Sequence, residues 1–372
     1  MKKIVIIHFS PLELFPPVMN LLNTIRNEKD YEVHVITTES ASSLTEHFKI
    51  SNANLKIHRF GRSGNELAKI RRWVNFIWFY LFTTIKLIIL RPKNVLYFDT
   101  LSSFPAVVYK KWVCKKAKLF VHYHEYTTPD EYKKGSALLY LFHQHEKNIF
   151  SELSWFSHNN ADRLSLFMKD ISPITINNTQ VIPNYPPKQW STDSFSRKMN
   201  EPLRLVYIGS IGLDMMYTRQ FAKWVKQMHG KVIWDIYTTK ICSDVQLFFE
   251  ELNAENIFLK GYKNYFQLPL TLNKYDVGIV LYKGSIQNHI YSVSNKLYEY
   301  HALGLDVWFS KNIESSLPLF THQTYPKILA LDFESLDNLQ IDELINRTNH
   351  EYHLTEYSCE SAFESLIHEL FN

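Results

Sequence analysis

The sequence of 372 residues is poor in glycine and cysteine. It contains only 10 glycines, which excludes a collagen-like chain, and 3 cysteines. The cysteines, Cys114, Cys242 and Cys359, are odd in number and far apart, which supports neither a disulfide framework nor a zinc cluster. A reducing cytoplasm is the simplest compartment for such a chain.

Two sequence patterns are also missing. No Gly-x-Gly-x-x-Gly follows the first predicted strand, where the sequence reads His8-Phe9-Ser10-Pro11, and this disfavours a dinucleotide-dependent oxidoreductase. No Asp-x-Asp occurs anywhere, and the histidines form no recognised ligand set. We therefore expect neither a bound metal ion nor a cofactor.

The net charge of +4 falls short of what a nucleic-acid-binding surface requires. The first apolar run, residues 4–7, is shorter than the core of a signal peptide. Residues 73–90 approach the length of a membrane span but include Asn75, two threonines and Lys86. That composition favours a buried or membrane-touching amphipathic helix over a spanning one.

The first half alternates short β-branched runs with helical patterns. The predicted strands are residues 4–9, 33–37, 55–60, 95–98 and 119–123. The predicted helices include residues 17–27 and 65–90. Parallel strands need crossover connections, so this alternation predicts a parallel sheet with helices on both faces.

A proline-rich polar break at residues 181–202 separates this half from a second one with the same alternation. Its predicted strands are residues 203–208, 232–237, 257–259, 277–281 and 307–309, with a helix over 221–228. A chain of this length fits two domains. We predict an α/β protein with two facing Rossmann-like domains, residues 1–185 and 202–355, joined by a linker over 186–201 and followed by a final segment over 356–372.

The segment from Ser292 to Gly304 is the most informative part of the chain. Its first residues are good helix N-caps and Gly304 is a natural helix stop. A helix N-terminus attracts anions, and Lys296 adds a positive charge. Lys296 and Glu299 share one helix face, so this segment suits a nucleoside diphosphate, with the carboxylate near the ribose. A surface Lys–Glu pair at helical spacing is the alternative.

Residues 294–300, Ser-Asn-Lys-Leu-Tyr-Glu-Tyr, followed by Ala302-Leu303-Gly304-Leu305, resemble the donor-site motif of GT-B glycosyltransferases, in the group of retaining family-four enzymes that build bacterial surface polysaccharides. The resemblance implies that Glu299 binds the ribose and that Ser294, Asn295 and Lys296 lie near the diphosphate. Many retaining members have a second glutamate where this chain has Ser292, which leaves retention only slightly favoured over inversion.

Other stretches resemble the same family in the expected order: residues 118–126, 181–186, 205–210 and 357–370. The last of them resembles the family's closing helix, which implies a helix over 356–372 that returns to the first domain. In the first of them, His124 and Glu125 follow an apolar strand at its carboxyl end, where this architecture keeps its chemistry. Either could orient a sugar hydroxyl or take a proton from the acceptor. A capping histidine and a solvated glutamate are the alternative.

Two further positions follow predicted strands. Gly209-Ser210 offers a close backbone approach and a hydroxyl to a phosphate, although an ordinary turn is nearly as good an interpretation. Lys283 could reach the phosphates or be a solvated lysine. A basic cluster, Arg62, Lys69, Arg71 and Arg72, precedes the aromatic stretch at Trp73 and could contact anionic lipid or form a solvated face.

The sequence therefore predicts a metal-independent, cytoplasmic glycosyltransferase that acts at the inner face of the membrane. It would move a sugar from a nucleoside-diphosphate sugar, such as a UDP-sugar, to a lipid-linked capsule or lipopolysaccharide glycan. Two alternatives stay open. One is a nucleotide-sugar epimerase of the same architecture, and the other is a non-catalytic subunit that keeps the fold.

Overall fold

The computed structural model describes residues 2–40, 47–50, 52–63, 68–191, 201–238, 241–345, 351–352 and 356–372. The chain forms two compact units. The first comprises Met1–Pro183 and Cys359–Asn372, and the second comprises Asn184–Ser358. Each unit is built on a parallel β-sheet with helical crossovers, as the alternating sequence pattern predicts.

The first unit contains a seven-stranded sheet. Its strands are β1 (Lys2–His8), β2 (Tyr31–Ser40), β3 (Leu55–Ser63), β4 (Asn94–Phe98), β5 (Lys118–Tyr123), β6 (Trp155–His158) and β7 (Thr179–Val181). Their order in the sheet is β3-β2-β1-β4-β5-β6-β7, and the pairs are parallel. The central strands are buried on both faces, which explains their continuous apolar runs.

In the described part of the first unit, six helices connect these strands. They are α1 (Pro16–Ile25), α2 (Lys69–Leu90), α3 (Asp99–Val108), α4 (Pro129–Lys134), α5 (Ala137–Lys147) and α6 (Ala161–Asp170). A π-helical turn over Tyr109–Val113 continues α3. By length and composition, Ile70–Leu90 could cross a membrane, with a mean hydropathy of 1.7 and 28% of its most apolar window buried. Its side chains Phe79, Thr83 and Leu87 are fully buried in this unit, where α2 packs against β3 and α3.

The second unit contains a six-stranded sheet and a separate two-stranded one. Its strands are β8 (Leu203–Ile208), β9 (Val232–Tyr237), β10 (Ile257–Leu259), β11 (Val277–Val280), β12 (Asp306–Ser310), β13 (Thr324–Tyr325), β14 (Ile328–Leu331) and β15 (Glu351–Tyr352). The main sheet has the order β10-β9-β8-β11-β12-β14, and β13 pairs with β15. Its core includes the fully buried indoles of Trp224, Trp234 and Trp308.

The described residues of this unit form six helices: α7 (Thr218–Gln227), α8 (Ser243–Leu252), α9 (Leu268–Leu272), α10 (Gln287–Ile290), α11 (Asn295–Ala302) and α12 (Ile341–Ile345). The predicted strands at 203–208, 232–237 and 257–259 coincide with β8, β9 and β10. The predicted helix over 65–90 begins at Lys69, with residues 64–67 outside the described part of the chain.

The last helix, α13 (Cys359–Phe371), belongs to the first unit although it follows the second in sequence. It packs against α1 and β4. The Asn94 side chain donates a hydrogen bond to the carbonyl oxygen of Leu370 (2.6 Å), and the rings of Tyr31 and Phe371 meet edge to face at 4.9 Å. This is the closing helix that the sequence predicts.

The chain connection between the units differs from the predicted linker over 186–201. Residues 186–191 belong to the second unit, where the buried Trp190 packs against Tyr265 with 4.8 Å between ring centroids. Ahead of them, Tyr185 contacts Tyr298 and Tyr357 of the same unit. Residues 192–200 of the predicted linker lie outside the described residues. The aromatic side chains of Tyr185 and Trp190 explain the difference, because they pack against residues of the second unit. The proline and polar residues of this segment, taken alone, predict an unpacked linker.

Candidate functional site

In the second unit the strand order reverses between β8 and β11: strands before this point are added on one side of β8, and strands after it on the other side. The chain proceeds from β8 outward to β9 and β10, then returns to β11 and continues to β12 on the other side. Helices that leave adjacent strands in opposite directions open a crevice at the strands' carboxyl ends. The loop after β8 begins at Gly209, and the loop after β11 contains Lys283. The topology therefore places these two predicted site loops at one ligand-binding edge.

The side chain of Lys296 lies against the backbone of Gly209. A β-carbon built on Gly209 would be 2.7 Å from Lys296 Cε and 3.1 Å from its Nζ. Gly209 also has a φ of +130°, which L-residues with side chains rarely adopt. The structure thus brings together a lysine and a glycine that are far apart in sequence, and a β-carbon at residue 209 would require the end of the lysine side chain to shift.

Lys296 lies in the first turn of α11, which Ser294 precedes as the N-cap residue. The hydroxyl of Ser294 makes no capping hydrogen bond to the described helix residues. The first helical bond runs from the Leu297 N–H to the Ser294 carbonyl (3.0 Å), so the N–H groups of Asn295 and Lys296 precede it and have no intrahelical acceptor. Backbone donors, the helix dipole and an ammonium group therefore act together on an anion.

Glu299 is buried one turn further along α11, with 4% of its surface exposed. Asn295 Nδ2 donates a hydrogen bond to its Oε1 (2.8 Å). Burial raises the pKa of Glu299, while the charge of Lys296 and the bond from Asn295 act in the opposite direction. A buried carboxylate with few protein donors retains accepting capacity for a ligand hydroxyl. This burial contradicts the alternative of a solvated surface Lys–Glu pair.

The orientation of α11 is fixed by Tyr300, a residue that the sequence patterns do not single out. Its hydroxyl accepts the N–H of Ile208 at 3.0 Å, at the end of β8. Its ring lies across Gly278 of β11 so closely that a β-carbon at that position would overlap the ring. Tyr300 therefore couples α11 to both strands at the crevice, because it contacts β8 through its hydroxyl and β11 through its ring.

The remaining predicted donor residues lie in the flanking loops. Ser210 is exposed, and its carbonyl accepts the Tyr207 hydroxyl at 2.6 Å. Lys283 is half-buried, and its backbone is held by the carbonyl of Met215 (3.1 Å) and the side-chain amide of Asn312 (3.2 Å). These loops are therefore ordered by backbone contacts, which leave their side chains able to face a ligand.

Ser292, the position at which the sequence resemblance places a second glutamate, makes hydrogen bonds to nearby segments among the described residues. Its hydroxyl donates to the carbonyl of His289 at 2.8 Å, and its own carbonyl accepts the Ser316 hydroxyl at 3.0 Å. The side chain is buried. This position thus supplies a turn-stabilising hydroxyl, and no carboxylate is available there.

In the first unit the corresponding reversal lies between β1 and β4, and a cluster of buried histidines occupies the strand ends nearby. The His124 ring stacks on Phe98 at 5.0 Å and meets the rings of His8 and His122 at 5.7 and 5.2 Å. Neither ring nitrogen of His124 has a hydrogen-bond partner among the described residues. The sequence singles out His124 but not the cluster, because its members come from strands far apart in sequence.

Burial keeps these histidines neutral. It lowers the pKa of His8 to about 4 and that of His122 to about 3, and it lowers the pKa of His124 and His158 well below 6.5. A neutral imidazole donates one hydrogen bond and accepts another. His124 is therefore suited to orienting a hydroxyl rather than to binding an anion as a cation.

The backbone of His124 is held on both sides. Its N–H donates to Asp99 Oδ1 (2.8 Å), and its carbonyl accepts from Asn159 Nδ2 (2.7 Å) and Arg163 Nη1 (3.0 Å). Asp99 adopts a left-handed conformation with φ +54°. Burial raises the pKa of Asp99 to about 8, although backbone hydrogen bonds from His124 and Glu125 oppose this. Sequence patterns give no sign of Asp99, since its role depends on contact between two strand ends.

Glu125 differs from its neighbour because its side chain is exposed. The loop thus presents a solvent-accessible carboxylate directly after a buried, neutral imidazole.

A second carboxylate, Glu146, is fully buried in the same unit. It accepts hydroxyl hydrogen bonds from Tyr97 (2.8 Å), Tyr123 (2.7 Å) and Thr100 (3.0 Å). Burial raises the pKa of Glu146 to about 7. In the described part of the chain, no group of three or more His, Cys, Asp or Glu side chains is placed to hold a metal ion.

Comparison with known proteins identifies the fold. The chain is 12% identical to a sucrose-phosphate synthase from Thermosynechococcus elongatus, with a TM-score of 0.66 over 100% of this chain and 95% of that one. It is 10% identical to Anabaena HepE in complex with UDP and glucose, with a TM-score of 0.66 over 100% of both chains. The lipopolysaccharide outer core galactosyltransferase WaaB, in its apo form, gives 12% identity and a TM-score of 0.58 over 98% of this chain and 99% of that one.

The fold is GT-B. No protein-family model and no curated protein matches the chain by sequence. At 10–12% identity the structural likeness establishes the architecture of two Rossmann-like domains, which confirms the predicted fold class. The roles of individual residues in this GT-B protein depend on the local geometry described above.

Proposed function

We propose that this protein is a glycosyltransferase that uses a nucleoside-diphosphate sugar as donor. The observation that carries the proposal is the arrangement at the start of α11, where Lys296 lies on Gly209 and the buried Glu299 follows one turn later. Similar structures support it, since HepE has been solved with UDP, with UDP and glucose, and with UDP-glucose. UDP is therefore the nucleotide to test first.

The diphosphate and the ribose of a nucleotide sugar each have a suitable partner in this arrangement. The diphosphate would lie at the N-terminus of α11, beside the ammonium group of Lys296 and the backbone of Gly209-Ser210, with Lys283 on the adjacent loop. The carboxylate of Glu299 would accept the ribose hydroxyls. Positive charge at the diphosphate stabilises the leaving group as the bond between the sugar and the phosphate oxygen breaks. We propose that this stabilisation operates without a divalent metal ion.

In the first unit, His124 and Glu125 are the candidates for contact with the reacting groups. A neutral His124 would orient a sugar hydroxyl, and the exposed carboxylate of Glu125 would accept the proton that the acceptor hydroxyl loses. The partly buried Asp99 and the buried Asn159 and Arg163 hold the His124 backbone and fix the loop that carries both side chains. Such rigid support is what positioning catalysis requires.

The acceptor that we propose is a growing, lipid-linked bacterial surface glycan at the inner face of the membrane. The sequence resemblance motivates this choice, and the galactosyltransferase WaaB, with its lipopolysaccharide substrate class, supports it. Retention of anomeric configuration is slightly favoured by the same resemblance. The comparisons give no support to the epimerase alternative.

The decisive experiment measures release of UDP from a panel of UDP-sugars, with and without glycan acceptors. We expect acceptor-dependent release and its loss in Lys296→Ala. The matched control is Lys133→Ala, which removes a lysine that pairs with Asp130 on the surface at the same helical spacing. UDP binding without turnover across the panel would favour the non-catalytic subunit. Absence of binding to any nucleotide would refute the proposed donor site.

A further inference from the structure

The outward face of α2 is apolar and exposed. Its large exposed side chains include Ile70, Trp73, Ile77, Trp78, Ile85 and Ile89. The opposite side of the helix is packed in the first unit through Phe79, Thr83 and Leu87. An apolar helix face of this length, left without a partner in a folded domain, indicates an interaction surface.

The π-helical turn after α3 extends this face. Trp112 and Val113 are exposed there, and the turn packs against α2. The Tyr109 hydroxyl donates to the carbonyl of Pro92 at 2.9 Å, which places the turn beside the C-terminal end of α2. We use the term docking face for the exposed side chains of α2 together with Trp112 and Val113.

The tryptophans of this protein divide sharply between core and docking face. Five of the eight are buried: Trp155, Trp190, Trp224, Trp234 and Trp308. The other three, Trp73, Trp78 and Trp112, are exposed and all lie on the docking face. Tryptophan is enriched where protein meets the membrane–water interface, because its ring is apolar and its N–H remains hydrated.

The sequence segment that contains the docking face is strongly basic. Residues 69–118 contain eleven lysines and arginines and a single acidic residue, Asp99, whose carboxylate binds the backbone N–H of His124. This segment thus has a net charge of +10, while the whole chain has +4, so the remaining residues are net negative. Six of the cations are exposed near the two ends of α2: Arg71, Arg72, Arg91, Lys93, Lys115 and Lys116.

We propose that the docking face binds the surface of an anionic lipid bilayer, with α2 lying in the plane of the interface. Its apolar side chains and tryptophans would enter the acyl boundary, and the flanking cations would contact lipid phosphates. A second copy of this chain is a poor occupant, since it would bring one strongly positive face against another. A membrane-spanning arrangement would require α2 to leave the core contacts of Phe79 and Leu87.

The basic residues that flank α2 in the sequence do not contribute equally. Arg62 pairs with Glu39 at 3.4 Å, and Lys110 donates to the carbonyl of Ala117 at 2.9 Å. The side chain of Lys69 lies outside the described residues. Of the cluster that the sequence pattern points to, Arg71 and Arg72 remain as exposed candidates. We choose the exposed pair Lys115 and Lys116 for mutation because it lies outside α2 and its replacement leaves the helix sequence unchanged.

Vesicle flotation of the full-length chain tests the proposal without any sugar nucleotide, so its outcome is independent of the proposed reaction. We expect binding to vesicles of phosphatidylcholine with phosphatidylglycerol, little binding to phosphatidylcholine alone, and release at high salt or in alkaline carbonate. Each basic residue near an anionic surface contributes roughly fivefold in affinity. The double variant Lys115→Glu/Lys116→Glu should thus lose at least about twentyfold.

Two matched controls separate docking from general effects of mutation. Trp112→Ser should weaken binding, whereas Leu270→Ser should not, although Trp112 and Leu270 are 81% and 79% exposed. Lys223→Glu/Lys231→Glu changes two exposed lysines of the second unit and should leave binding intact. Brominated lipids should quench the fluorescence of the wild-type protein more than that of Trp112→Ser. All four variants should retain the wild-type circular dichroism.

Several results would overturn the proposal. These are equal binding to neutral and anionic vesicles, unchanged binding in Trp112→Ser and in the Lys115/Lys116 double variant, or equal losses in the controls. Resistance to carbonate extraction would show a spanning helix instead. A stable dimer that does not bind vesicles, and becomes monomeric in Trp112→Ser, would identify a second copy as the occupant.

Discussion

The ammonium group of Lys296 lies over Gly209, so that a β-carbon at residue 209 would approach Lys296 Cε to 2.7 Å. Gly209→Ala should therefore displace the lysine and strain the loop, whose φ is +130°. We expect weaker binding of UDP, by roughly tenfold, with a smaller change for uridine, because the lysine acts on the diphosphate. Calorimetry with both ligands measures this difference.

The control for this variant is Gly212→Ala, three residues along the same loop, where an added β-carbon would meet no described atom within 4 Å. It should bind UDP like the wild type. Equal losses for UDP and uridine in Gly209→Ala would show that the glycine is structural and that Lys296 does not act on the phosphates.

Glu299→Ala should weaken the binding of both UDP and uridine. The buried carboxylate would lose charge-assisted hydrogen bonds to the ribose, worth about 1.5–3 kcal/mol, or roughly ten- to a hundredfold in Kd. Glu250→Ala, on an exposed turn of α8, is a control that should leave the binding of UDP and of uridine unchanged. Wild-type affinity of Glu299→Ala in calorimetry would remove this residue from the donor site.

His124→Ala should lower turnover by roughly a hundredfold while leaving UDP affinity nearly unchanged, the pattern of a lost transition-state interaction. Glu125→Gln tests proton transfer separately, because it keeps the shape of the side chain and removes its basicity. The control is His145→Ala, which changes an exposed histidine of α5 in the same unit. It should leave turnover and UDP affinity unchanged. If both His124→Ala and Glu125→Gln turn over at the wild-type rate, the catalytic assignment is wrong.

Turnover should persist when divalent cations are removed by a chelator. The positive charge that the leaving diphosphate requires would come from Lys296 and the N-terminus of α11, which make a bound cation unnecessary. Rates in EDTA and after addition of Mg²⁺ provide the measurement. Modest stimulation by Mg²⁺ is compatible with this view, whereas complete loss in EDTA with full recovery on adding the metal contradicts it.

The buried histidines should make the stability of the first unit dependent on pH. Burial lowers the pKa of His8 to about 4 from 6.5, so between these values the unfolded chain binds a proton that the folded state excludes. Stability from this group is present above pH 6.5 and is lost as the pH falls toward 4, by at most about 1.4 kcal/mol per pH unit.

Comparison of His8→Phe with the wild type isolates this contribution. The raised pKa values of Asp99 and Glu146 act in the opposite direction, because those groups keep protons in the folded state, but they are common to both proteins. Protection from hydrogen exchange in β1, corrected for the intrinsic pH dependence of exchange, should decline less steeply with acid in His8→Phe. His229→Phe, at an exposed position in the second unit, should behave like the wild type, and identical slopes in His8→Phe would contradict the prediction.

The sequence by itself determined the elements and the local parts of the donor site. Strands such as β8 and helix starts such as Ser294 depend on neighbouring residues, so periodicity and capping preferences predict them. The spacing of Lys296 and Glu299 on one helix face is local in the same sense. These features needed no knowledge of distant contacts.

Only the tertiary structure decided how distant residues meet. The contact of Lys296 with Gly209, the ring of Tyr300 across Gly278, and the bond from His124 to Asp99 join segments that the strand order brings together. The sequence did not predict burial either. The charged Glu299 is buried and the largely apolar Trp112 is exposed, which is the reverse of what the polarity of each side chain predicts. Sequence patterns report local preference, whereas exposure and contact depend on which strands become neighbours in the sheet.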